Sequence, residues 1–151
     1  MKITDFDTVI EALEDAISDY DFNFDYEEKD GGLEACISEE YLFDKEYSYA
    51  TLYVSIYDCG EMLIECFFGN TPKTAEVRRL LADLNAEIYG EKAYLSDEID
   101  GQDTFTISLR IAELSSYGDI YFNLKYFLQD IVQENVKDCI RKICALEITE
   151  N

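Results

Sequence analysis

Thr71-Pro72-Lys73-Thr74-Ala75-Glu76-Val77-Arg78-Arg79-Leu80-Leu81-Ala82-Asp83-Leu84-Asn85-Ala86-Glu87-Ile88-Tyr89-Gly90 carries an amphipathic helix between a start and a stop signal. Thr71 offers an N-cap hydroxyl, and Pro72, the only proline in the chain, suits the first helical position, where a missing N–H costs nothing. Val77, Leu80, Leu81, Leu84 and Ile88 recur at spacings of three and four and give the helix one apolar face. Gly90 is the stop. Beyond it, Tyr94-Leu95 and the run Phe105 to Ile111 flank Asp100-Gly101, a hairpin turn signal. This stretch specifies architecture and no chemistry.

Working outward toward the N-terminus, the clearest strand is Tyr49 to Tyr57. Ala50, Leu52, Val54 and Ile56 share one side; Tyr49, Tyr53 and Tyr57 line the other. Cys59-Gly60 turns the chain, and the return strand Glu61 to Phe68 puts Met62, Ile64, Cys66 and Phe68 on one face. Its other face presents Leu63, Glu65 and Phe67 beside the tyrosines. That aromatic row either packs under the first or last helix or is left open as a contact surface. Residues 39–47 read as a connecting loop. Leu33, Ala35 and Ile37 alternate behind the turn Asp30-Gly31-Gly32, and Phe22, Phe24 and Tyr26 alternate before it, as in a hairpin. The chain opens with a helix over about 4–19, Thr4 and Asp7 forming a capping-box-like start.

Toward the C-terminus, Ser115, Ser116 and Gly118 mark a break. The apolar positions Ile120, Leu124, Phe127, Leu128, Ile131, Val132, Val136, Cys139, Ile140 and Ile143 predict one last helix of about seven turns. The order is thus α-β(β)ββ-α-ββ-α, an α+β class with a mainly antiparallel sheet and helices packed on one face. One domain over residues 1–151 is the expectation from length.

The charge narrows the partners. Asp and Glu number 34 against 12 Lys and Arg, for a net charge of −22. The asymmetry is internal: residues 1–70 hold 19 acids and 3 lysines. Such a field repels nucleic acid and anionic membrane, and it favours cations or basic proteins. No run approaches the apolar length of a membrane span, and Met1-Lys2-Ile3 leads directly into an acidic helix, so the expectation is a cytoplasmic protein.

Chemistry is hard to place on these residues. There is no histidine, and so neither the commonest acid–base group nor the commonest transition-metal ligand. The five cysteines, Cys36, Cys59, Cys66, Cys139 and Cys144, form no C-x-x-C pair and read as reduced core-type residues. The acids around Gly101 fail as a calcium loop, since the first position would be Ser96 and the twelfth Ile107. Glu28 to Gly31 fails likewise. Gly31-Gly32 lacks a phosphate-loop context, and no serine sits in a nucleophile motif. The expectation is no enzyme, no cofactor, no metal and no catalytic residue.

The element order, and the residues Glu76 to Ile88, Ala93-Tyr94-Leu95 and Phe105 to Arg110, resemble the fold shared by class I type III secretion chaperones and the YbjN-like family. The resemblance implies a non-enzymatic, partner-binding protein, often dimeric, with no catalytic residues to carry over. A chaperone- or adapter-like module is therefore expected, its partner another protein, a basic one included, or a second copy. Tyr49, Tyr53, Tyr57 and Phe67 are the candidate protein-binding residues. The alternative is an acidic inhibitor, an immunity protein or DNA mimic, that faces a basic nuclease or DNA-binding protein with the acidic N-terminal half.

Overall fold

The computed structural model describes residues 1–38, 50–69, 71–99 and 102–146. In chain order the elements are α1 (Phe6–Ala16), β1 (Asp25–Lys29), β2 (Gly32–Ser38), β3 (Thr51–Tyr57), β4 (Met62–Gly69), α2 (Ala75–Glu87), β5 (Lys92–Ile99), β6 (Gln102–Ile111), α3 (Tyr117–Ile131) and α4 (Glu134–Cys144). The strands form one six-stranded sheet in the order β1-β2-β3-β4-β6-β5, each neighbouring pair antiparallel. The α+β class and the order of elements read from the sequence hold, with one change at the last helix.

Alternation puts Leu33, Ala35, Ile37, Leu52, Val54, Ile56, Met62, Ile64, Cys66 and Phe68 on one face, and each is almost fully buried. The helices add their own stripes to the same core: Val9 and Leu13 from α1, Leu81 and Leu84 from α2, Leu124 and Phe127 from α3, Val136 and Ile140 from α4. Phe68 and Phe105 stack at 4.6 Å between β4 and β6. The Tyr26 hydroxyl reaches Glu14 of α1 at 3.4 Å from that same face. α1 packs against α3 and α2 against α4, so the helices pair off over the sheet.

Several boundaries move for local reasons. Asp5, rather than Thr4, caps α1, its carboxylate accepting from the N–H groups of Asp7 and Thr8. Phe22 and Phe24 are buried but precede the strand, which begins only at Asp25. Thr74, rather than Thr71, caps α2, its hydroxyl accepting from Val77 N–H at 3.2 Å. Pro72 therefore lies ahead of the helix. α2 ends at Glu87, with Ile88 already extended, and Gly90 turns beyond it at φ +77°. The expected seven-turn helix is two helices: Gln133 is extended at φ −65° and ψ 141°, which ends α3 and caps α4. The break lets α3 follow α1 while α4 lies over α2, and one straight rod could not do both. Residues 39–47, Tyr49 and the turn Asp100-Gly101 lie outside the described residues.

The two edges of the sheet differ. At β5, the Asn85 side chain of α2 donates to Ala93 O and accepts from Ala93 N–H, both at 2.8 Å. At β1, among the described residues, no element pairs with the outer side of Asp25-Tyr26-Glu27-Glu28-Lys29.

Candidate functional site

The face of the sheet turned away from the helices is built by the other half of each alternation. Thr51, Tyr53, Ser55 and Tyr57 of β3 lie across from Phe67, Glu65 and Leu63 of β4, with Thr51 opposite Phe67 and Tyr53 opposite Glu65. The pattern along both strands is fully buried on one side and half-buried on the other, with Tyr57 exposed. No helix covers the tyrosine row among the described residues, so the reading in which a first or last helix lies over it does not hold.

Tyr53 and Phe67 meet edge-to-face at 5.7 Å, the arrangement that ring quadrupoles favour. On the same face, Thr106, opposite Phe67, is fully buried, and beyond it Tyr94 lies opposite Thr106 on β5. Tyr94 is exposed and belongs to the same face. The sequence reading missed it as a site residue, although alternation of Ala93 and Leu95 against Lys92, Tyr94 and Ser96 marks its side. The structure brings Tyr53 and Phe67 together and sets Tyr57 apart, at the end of β3; Tyr49 falls outside the described residues.

Beside the aromatic row the face is acidic. Glu27 lies opposite Glu34, Asp25 opposite Cys36, and Cys36 opposite Tyr53. Burial, and then the nearby Glu34, push the Glu65 carboxyl above its ordinary range. Burial likewise raises the Cys36 thiol, with the Tyr53 hydroxyl pulling the other way. Lys29 pairs with Glu34 at 3.2 Å, and Arg110 with Glu61 at 2.9 Å. Next to Tyr57 a shallow hollow is lined by Lys29, Gly32, Glu34 and Ser55. Gly32 lets β2 and β3 approach closely here: a Cβ there would come within 2.6 Å of the Ile56 carbonyl oxygen.

No group of three or more acidic or cysteine side chains is placed to hold a metal among the described residues. No cysteine is in a disulfide: Cys66 is buried, Cys59 exposed, and Cys36, Cys139 and Cys144 lie in between. Cys139, expected in the core, is only half-buried. No helix among the described residues is long and apolar enough to cross a membrane.

Searches by sequence find no matching family model and no matching curated protein. Among solved structures, the crystal structure of YbjN from E. coli, a candidate transcription regulator, superposes with a TM-score of 0.56 over 96% of both chains, at 15% identity. The fold is YbjN-like. At that identity the likeness is one of architecture, and it matches the resemblance read from the order of elements. The YbjN-like frame holds the row Tyr53, Phe67, Thr106 and Tyr94 across its middle and edge strands.

Proposed function

We propose that this protein is a non-enzymatic, protein-binding module of the chaperone or adapter kind, which holds a partner polypeptide on the open face of its sheet. The observation that carries this reading is the aromatic row itself. Tyr53, Tyr57, Phe67 and Tyr94 stand half-buried or exposed on a face that no helix covers among the described residues. Tyrosine and phenylalanine on a rigid sheet give large contact area with little side-chain entropy to lose, as at the centres of protein interfaces. The YbjN-like fold agrees with a protein-interacting role.

A second reading is favoured by Asp25, Glu27, Glu34 and Glu65 on the same face. Four carboxylates beside the aromatic row suit an acidic inhibitor that occupies the basic groove of a nuclease or DNA-binding protein. The encounter of a basic partner with either surface would be steered by charge and slowed by salt.

The experiment is affinity capture from the source cell, followed by binding of the purified partner to variants. Tyr57→Ala and Phe67→Ala are expected to keep Tm within a few degrees and to weaken binding by upwards of about 2 kcal/mol each at a central contact. A partner whose affinity is unchanged by both would remove the open face from consideration. If affinity depends on Glu34→Gln and Glu65→Gln and not on the aromatics, the inhibitor reading is the better one.

A further inference from the structure

A surface helix keeps its apolar stripe inward and places charge along its outermost line. α3 departs from this. Its exposed positions are Gly118, Phe122, Tyr126 and Gln129, so two large aromatics occupy the ridge that faces water. Phe122 is 50% and Tyr126 57% exposed, and their rings stack at 6.0 Å with 17° between the planes. The core stripe Ile120, Leu124, Phe127, Leu128 and Ile131 is complete without them.

One turn past Tyr126, Asp130 meets the Glu91 carboxyl at the start of β5, which is pushed up to about 8 by burial and by Asp130. The second Glu91 oxygen is buried with no partner among the described residues. A cation brought to this place would be drawn by both carboxyl groups. Tyr89, two residues ahead of Glu91, is 84% exposed. Lys125, on the same helix, is turned to Tyr121, with its ammonium 3.0 Å from the hydroxyl.

We infer that the outer ridge of α3 is a second docking surface, distinct from the sheet face, and that it takes a basic amphipathic helix of a partner protein. The partner's apolar side would lie along Phe122 and Tyr126, and a lysine or arginine would reach Glu91 and Asp130. Charge selects this occupant over a second copy, since each copy carries −22. Geometry selects a helix, because a helical ridge offers no free backbone groups for strand addition and is recognised by side chains alone.

The test is nuclear magnetic resonance titration of the full chain with synthetic peptides of about five helical turns. One is an amphipathic leucine–lysine peptide, one its leucine–glutamate counterpart, and one a glycine–lysine peptide of equal charge. The leucine–lysine peptide is expected to shift resonances of residues 118–131 and 87–91. Its affinity should fall at least about tenfold in F122S/Y126S and be unchanged in Y57A. The other two peptides should bind far more weakly. Both ridge residues are exposed, so the double variant should fold, which its melting curve checks. Equal binding of the glycine–lysine peptide, shifts centred on the sheet face, unchanged affinity in F122S/Y126S, or a concentration-dependent dimer through the ridge would each overturn the inference.

Discussion

Ala93 owes its outward N–H and C=O partners to one side chain, Asn85, whose amide meets both at 2.8 Å. The pair is partly buried, so removal of the amide strands two backbone groups at once. Asn85→Ala should destabilise by about 1–3 kcal/mol in chemical denaturation, while Asn85→Asp keeps only an acceptor and fails to restore the loss. The cysteines sort on exposure in the same manner. Burial holds the Cys66 thiol well above its ordinary value, with Cys144 nearby adding to the effect. Mass-spectrometric labelling in the native state should therefore modify Cys59 first, Cys139 more slowly and Cys66 only on unfolding. Early modification of Cys66 would contradict the register of β4.

At the scale of elements, the sequence made the periodic segments plain and their ends obscure. Period-two alternation in Thr51–Tyr57 and Met62–Gly69 assigned both faces correctly, because a slip of one residue would turn the core face outward. Helix ends are less determinate. Thr71 and Thr74 are equally good caps in sequence, and only the chain path selects Thr74. The break at Gln133 carries no glycine or proline; packing on two different helices creates it, and packing is not local information. Whether a helix would cover the tyrosine row was undecidable for the same reason, and Phe122 and Tyr126 were passed over because they lie off the apolar stripe. The junction of α3 with the start of β5 makes a pH prediction. Glu91 is protonated more readily in the folded chain than in the unfolded one, so the folded state binds more protons between about pH 4.5 and about 8. Stability contributed by this group is present at the acidic end and lost as pH rises through that window. Glu91→Gln, neutral throughout, should flatten this part of the stability profile in thermal melts.

For the whole molecule, −22 on 151 residues is a field felt at every point of the surface. Self-repulsion destabilises the compact state and is screened by salt, so Tm should climb with sodium chloride over the first few tenths molar. Calcium and magnesium should act as more effective screening ions, with a graded, unsaturating effect. A saturable calorimetric isotherm of micromolar affinity would instead reveal a specific metal site and reopen the question of carboxylate chemistry.

The unlike edges of the sheet bear on how copies could ever join. A sheet grows into a fibre only when each added chain offers a fresh edge. Asn85 takes up the outward backbone of Ala93 on β5, whereas the outer side of β1 meets no such side chain among the described residues. Strand-to-strand joining of two copies should therefore start at β1 and relate them by a twofold axis.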